Sequence, residues 1–428
     1  MEAPKSQPPA SGLRRFLTVL GPGLITGAAD DDPSGISTYS VAGATTGFSM
    51  LWLALITTPM MAVVQGMCAR IGMVCGRGLA SVLRTQVPAP LLYVVAAMVV
   101  VANTFNIGAD IAGMAASMQM VAGLPVLFWV FVSGAALIGV QVFLSYRAFV
   151  RVIKWLCLAL FAYVVTSFVV QPDWAAVLAA AVVPHISLTT TWITTMVAVL
   201  GTTISPYLFF WQSSLMVEEE KAMGRRTQAA RKGATADEIR DAHADVNIGM
   251  LFSNLVMFFI IVTTATTLGA HGKHDIATAQ QAAEALRPLA GNFAYLLFTL
   301  GMVGTGLLAV PSLAGSSAYV IADIFRFRQG MDETPARAPK FYAAVVAGII
   351  VGIVMNVAHV DPIKALYWSA VANGVASVPL VILVTIIAND KRLMGKWRNT
   401  WLANFWSCLA ILTMTGAAVL LFVYWGKS

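Results

Sequence analysis

The sequence predicts an all-α, polytopic membrane protein with about eleven transmembrane helices. Three observations carry this reading. Hydrophobic residues make up 58% of the 428 positions and charged residues only 11%, whereas soluble domains carry about 25% charged residues. The apolar residues gather into stretches of roughly 20 or more, the length a helix needs to cross the hydrocarbon core. Lys and Arg collect in alternate connections, as the orientation rule for membrane helices requires.

In chain order the spans are expected near 16–45, 49–75, 90–120, 125–145, 149–170, 190–217, 246–268, 291–320, 341–358, 362–388 and 400–424. The first is longer than the apolar region of a signal peptide and follows Lys5, Arg14 and Arg15, so it is expected to stay in the mature protein. With the N-terminus inside, the cytoplasmic connections hold Arg77 and Arg84, then Arg147, Arg151 and Lys154, then Lys221, Arg225, Arg226, Arg231, Lys232 and Arg240. Arg326, Arg328, Arg337 and Lys340 follow, then Lys391, Arg392, Lys396 and Arg398. Only Lys273, Arg287, Lys364 and Lys427 fall outside. The expected placement is therefore a cell membrane, with a cytoplasmic N-terminus and an extracytoplasmic C-terminus. The connection 218–245 is charged and Ala-rich, and one or two solvated helices with no catalytic role are expected there.

The net charge of +7 fits basic cytoplasmic loops and gives no reason to invoke nucleic acid. Cys68, Cys75, Cys157 and Cys408 lack zinc or redox spacing and read as small buried residues. His185, His243 and His359 fall in connections, and His271 and His274 read as solvated loop residues. There is no His-Glu-x-x-His motif, Gly-rich phosphate loop or nucleophile elbow, so neither an enzyme nor a cofactor is expected.

The most informative segment lies inside the first span: Asp30-Asp31-Asp32-Pro33-Ser34-Gly35. Each carboxylate at membrane depth costs about 2.5–3.5 kcal/mol at a helix centre. Pro and Gly follow at once, and irregular backbone at that depth survives only where protein buries it or it lines a wet cavity. A cation site made by a broken helix explains both features. The sixth span carries a second break, Gly201-Thr202-Thr203-Ile204-Ser205-Pro206-Tyr207. Pro removes a backbone donor and clashes with the carbonyl one turn earlier, which frees carbonyl oxygens near Ala29 and Thr202. Carbonyls at half-helix C-terminal ends coordinate cations well. The breaks lie five spans apart, so two five-span repeats are expected, the second inverted because each holds an odd number of spans. The expected organisation is a tail over 1–15, a first repeat over 16–170, a second over 190–388 that includes 218–245, and an extra helix over 400–424.

Gly21-Pro22-Gly23, the Asp32-Pro33 break, Gln65–Gly76 (QGMCARIGMVCG), Ser145–Phe168 and the Ser205-Pro206 break resemble the Nramp divalent-metal transporters. The resemblance runs from about Gly21 to the tenth span. It implies a LeuT-like fold, alternating access and a metal held between spans one and six, with Asp32 as carboxylate ligand and Ala29 and Thr202 as carbonyl ligands. The departures all point one way. The family's Asp-Pro-Gly-Asn becomes Asp32-Pro33-Ser34-Gly35, losing the Asn amide. Met-Pro-His becomes Ser205-Pro206-Tyr207, losing the thioether, and a later His aligns with Gln212. Asp-Leu-Ala-Glu becomes Asp110-Ile111-Ala112-Gly113, losing the Glu.

Thioether sulfur favours softer transition metals, whereas carboxylate, carbonyl, hydroxyl and water suit magnesium and manganese. Magnesium dehydrates reluctantly and is held through one or two carboxylates. A roomier all-oxygen site, widened at Gly35, suits a partly hydrated magnesium ion. The pattern is most similar to the divergent Nramp-related magnesium transporters. Proton relays use Asp, Glu and His chains, and those positions here hold Tyr207, Gln212 and Gly113, so proton coupling is expected to be weak or absent. The expected function is import of magnesium, and also manganese, as the transported ion. The alternative is a proton-coupled manganese or iron importer of the conventional type. A sodium-driven amino-acid symporter on the same fold is disfavoured by the Asp32 carboxylate, which repels an anionic substrate. The expected partners are the lipid bilayer and the ion, with the protein as a monomer.

Among the remaining candidates, Ser205 is expected to bind the ion or its water, with Ser34 and Thr203 weaker. Asp30 and Asp31 are expected to act through water or at a vestibule, because successive helix positions point about 100° apart. Asn103, Asn106 and Asp110 make one polar stripe facing the bundle interior, and Asn373 supports the site from span ten.

Overall fold

A computed structural model describes residues 22–143, 159–273, 276, 278–357 and 361–425. The tail 1–15, the start of the first span, Arg147, Arg151, Lys154, Cys157, His274, His359 and Lys427 lie outside the described residues, as does most of the expected fifth span and of the stretch 145–168. The long helices are α1 Pro22–Asp30, α2 Pro33–Thr46, α3 Leu51–Cys75, α4 Ala89–Ala122, α5 Val126–Phe143, α6 Phe161–Val169, α7 Thr190–Thr203 and α8 Pro206–Ala222. They continue as α9 Ala236–Thr267, α10 Ala294–Phe325, α11 Pro339–Asn356, α12 Pro362–Asn389 and α13 Trp401–Trp425.

Nine helical stretches among the described residues are long and apolar enough to cross a membrane. One of them, Pro33–Cys75, contains both α2 and α3, joined at Gly47. With α1 and α2 as the two halves of one broken span, α7 and α8 as the halves of another, and α6 as the described part of the fifth, the expected order of spans is reproduced. Large apolar side chains face outward around the bundle, among them Phe143, Phe168, Leu412 and Phe422. This is the surface that lipid covers, since a helix apolar all round belongs in a membrane or a core.

The two breaks are built alike. Asp32 caps α2 and Pro33 opens it. Ser205 precedes α8 and Pro206 opens that helix. Pro suits the first helical position because its missing N–H has no intrahelical partner there. Both capping residues are extended, with φ −69° and ψ 171° at Asp32 and φ −75° and ψ 131° at Ser205. Two unrelated stretches of sequence thus reach the same local geometry at equivalent places.

Small residues bring the broken helices against their neighbours, which is how membrane helices approach closely. A Cβ on Gly27 would sit 2.2 Å from the Gly249 carbonyl oxygen of α9, and one on Gly201 would sit 2.0 Å from that of Ala370 in α12. α9 therefore braces α1 and α12 braces α7, holding the two breaks in place.

The connection 218–245 is helical and mostly exposed, as expected, with a short helix Gln228–Arg231 in its middle, but a few of its charged residues are buried. α8 runs on to Ala222 and α9 begins already at Ala236, behind a capping box of Thr235 and Glu238. Glu218, Glu220, Arg231 and Asp245 are buried. Each has a specific partner: Lys221 pairs with Glu218 at 2.8 Å, the Gly23 amide donates to Asp245 at 2.6 Å, and Arg231 donates to the Gly76 carbonyl at 3.1 Å. Arg225 bridges Glu220 and Glu238. These buried charges anchor the ends of α1, α8 and α9, while Arg226, Lys232, Asp237 and Arg240 face water.

Candidate metal centre

The breaks meet in the middle of the bundle. A Cβ on Gly35 would lie 3.3 Å from the Thr202 hydroxyl oxygen and 3.4 Å from the Asp30 carbonyl oxygen, so α2 runs close against the end of α7 at this point. Asp30, Asp31, Asp32, Thr202, Ser205 and Tyr207 are each no more than 2% exposed. The site is closed to solvent on every side.

Asp32 is the carboxylate at the junction. Its Oδ1 accepts from the Gly35 amide at 2.6 Å and its Oδ2 from the Asn106 Nδ2 at 3.0 Å. An ionised carboxylate has about four lone-pair positions, so each oxygen keeps capacity for a cation. The Asn106 contact comes from the polar stripe of α4, which faces inward as expected: Asn103, Asn106 and Asp110 are all fully buried. Asn103 donates to Ser316 at 2.9 Å and Ser317 at 3.0 Å on α10. Asp110 lies close enough to Asp32 for their charges to interact and approaches the Ser34 backbone, with no side chain donating to either of its oxygens.

The two carbonyls at the half-helix ends are each met by a hydroxyl from the sixth span. Tyr207 donates to the Ala29 oxygen at 2.8 Å. Ser205 lies 2.9 Å from both the Thr202 and Gly201 oxygens, and its single proton serves one at a time. A carbonyl oxygen has two lone pairs, so both can face a cation while holding a hydroxyl. Tyr207 thus ties the end of α1 to the start of α8. Thr26 adds a second tie, donating to Gln212 Oε1 at 2.5 Å.

Other candidates are turned elsewhere. Ser34 donates to the Leu366 carbonyl at 2.9 Å and lies 3.2 Å from Ser369, so its hydroxyl faces α12. Thr203 donates to Val199 within its own helix at 2.9 Å. Asp30 accepts from Ser253 of α9 at 2.6 Å, and Asp31 lies 3.3 Å from the same hydroxyl. The three consecutive carboxylates diverge, Asp30 and Asp31 toward α9 and Asp32 toward α4. Among the described residues no group of three or more His, Cys, Asp or Glu could hold a metal ion. Asn373 is buried with its Oδ1 unpartnered, and Ser377 one turn on donates to the Ile204 carbonyl at 2.6 Å, supporting the second break. A Cβ on Gly113 would meet Leu366 at 2.8 Å and Met302 at 3.0 Å, so apolar packing fills the place where an acid would project. His271 is exposed and held to the Thr267 carbonyl at 2.8 Å.

Ser253 and Ser377 carry no signal in the sequence. Both are single small polar residues in apolar helices, and nothing in their spacing distinguishes them from ordinary helix–helix contacts. Asn106 had a signal, its place one turn before Asp110 on an otherwise apolar helix.

The family model described as Natural resistance-associated macrophage protein-like matches residues 23–424. The chain belongs to the Nramp family. Curated relatives of this Nramp protein include the divalent metal cation transporter MntH of Yersinia enterocolitica, 27% identical over 97% of each chain. Among solved structures, that of the Eremococcus coleocola manganese transporter aligns with a TM-score of 0.74 at 17% identity, covering 98% of this chain and 88% of that one. The nucleobase-cation-symport-1 family transporter MHP1 in a closed conformation aligns with a TM-score of 0.56 at 13% identity, over 94% and 90% of the two chains. The Nramp protein described here therefore has the LeuT-like fold of two inverted five-helix repeats, with its two broken helices in corresponding positions.

Proposed function

We propose that this protein imports magnesium, and manganese with it, by alternating access around Asp32, without coupling to protons. As a member of the Nramp family it is a membrane transporter of divalent metal cations. The observation that carries the choice of magnesium is the donor set at the junction. Asp32, the carbonyls of Ala29 and Thr202 and the Ser205 hydroxyl supply only oxygen. Such a set suits a hard ion that keeps part of its water. Tyr207, Gln212 and Gly113 hold no group that relays a proton at neutral pH. The inside-negative potential supplies about 4.6 kcal/mol per 100 mV for a dication, twice the single-charge figure. The N-terminus is assigned to the cytoplasm from the distribution of Lys and Arg.

One observation favours the second reading, a proton-coupled manganese or iron importer. Asp110 is a buried carboxylate beside Asp32 with no side chain donating to it, and so a place for a proton. Competition separates the two. In proteoliposomes, excess magnesium is expected to suppress manganese uptake in proportion to its concentration. Manganese uptake indifferent to a large excess of magnesium would overturn the magnesium assignment.

A further inference from the structure

Arg70 lies near the C-terminal end of α3, only 7% exposed, and no carboxylate among the described residues pairs with it. Its Nη2 donates to the Asn399 side chain, and its Nε has no partner. Removing a guanidinium from water without a counter-charge is expensive, and a neutral amide does not compensate it. Asn399 is itself fixed by its amide donating to the Ala388 carbonyl at 3.0 Å and by its Nδ2 donating to Asn404 at 2.8 Å. The guanidinium is therefore held beneath the short connection between α12 and α13.

That connection is basic and packs on α3. It consists of a helical turn Lys391–Met394 and a further turn Gly395–Trp397. Met394 is buried in the same apolar cluster as Met67 and Val74 of α3. Lys391, Arg392, Lys396 and Arg398 are exposed, and no ion pair is formed by any of them among the described residues. Asp390, the one acid nearby in sequence, is used to cap the Arg392 amide at 2.7 Å. Lys396 sits 4.9 Å over the Trp397 ring. Directly beyond, α13 opens with exposed Trp401, Leu402 and Phe405, the first and last stacked with centroids 6.2 Å apart. Indole rings mark the level of lipid headgroups, and basic pockets between membrane helices take anionic headgroups.

We propose that this rim binds the phosphate of one anionic phospholipid, with Arg70 beneath it, the four basic side chains around it and the acyl chains along the Trp401–Phe405 face of α13. The buried cation without a counter-charge, the four exposed basic residues of the connection above it and the adjoining apolar face supply the three parts such a lipid needs. A soluble phosphate would use the cations and leave the apolar face unused, so the lipid is the better fit.

Native mass spectrometry of the full-length protein in detergent, titrated with phosphatidylglycerol and with phosphatidylcholine of the same chains, tests this. The wild type is expected to retain one phosphatidylglycerol in preference to phosphatidylcholine. Lys396→Gln and Arg398→Gln are each expected to weaken that retention about fivefold, the worth of one basic group near an anionic headgroup. Arg70→Gln is expected to weaken it at least as much, with partial rescue by Arg70→Lys. The two exposed variants keep the test standing if the buried one misfolds. Equal retention of the two lipids by the wild type, retention unchanged in the exposed variants, or displacement of phosphatidylglycerol by millimolar inorganic phosphate would each overturn the assignment.

Discussion

Asp32→Ala is expected to reduce divalent-metal uptake by about a hundredfold or more, since removing one member of a buried charge contact costs about 3–5 kcal/mol and each 1.4 kcal/mol is tenfold. The same substitution also removes a helix cap, because Asp32 holds the Gly35 amide at 2.6 Å. Losing a cap costs about 1 kcal/mol of stability, so Ala alone would confuse a folding defect with a lost ligand. Asp32→Asn separates them. Asn caps helices as well as Asp does and keeps the side-chain volume, but it carries no charge. The Asn variant is expected to show wild-type thermal stability in detergent and still fail to transport. Uptake by Asp32→Asn within about threefold of wild type, equivalent to less than 1 kcal/mol, would remove Asp32 from the coordination sphere and with it the site.

Ser205→Met is expected to change which ion is carried more than how much is carried. Ser205 is 2% exposed and lies 2.9 Å from the Thr202 carbonyl oxygen. Met there would place a thioether at the junction and remove the hydroxyl. Softer ions gain from sulfur, while magnesium gains nothing and loses an oxygen donor. Cadmium uptake is therefore expected to rise relative to magnesium, and the magnesium concentration needed to halve manganese uptake to rise about tenfold, the worth of one charge-assisted contact. Overpacking costs about 1–3 kcal/mol, so total activity should fall, but the ratio between ions is measured within one variant and is unaffected by that loss. An unchanged cadmium-to-magnesium ratio would show that Ser205 does not face the ion.

The breaks were legible because acids and Pro cannot sit in a lipid-facing helix without cause. Pro33 and Pro206 each open a half-helix, and the two sit five spans apart. The neighbourhood of Asp32 was legible in part, through Asn106 and Asp110 on one face of α4. The direction of Asp30 and Asp31 was not, because it is set by Ser253 on a helix more than two hundred residues away. Ser34 stands beside the key Pro but turns to Leu366, again a choice made by packing of α2 on α12. The connection 218–245 is solvated and helical over most of its length, as its charge foretold; what the sequence does not show is that Glu218 and Asp245 at its ends are buried, since that depends on Lys221 and on the Gly23 amide of a distant helix.

The central claim is that an oxygen-only site where two broken helices meet admits magnesium and needs no proton. Purified protein reconstituted in liposomes that contain a magnesium dye and a pH dye tests it in one recording. An inside-negative potential is imposed and magnesium is added outside. The magnesium signal is expected to rise with the potential, to saturate with concentration and to vanish in Asp32→Asn, while internal pH stays level. Internal acidification that tracks metal influx, or manganese influx with no magnesium signal at all, would contradict it.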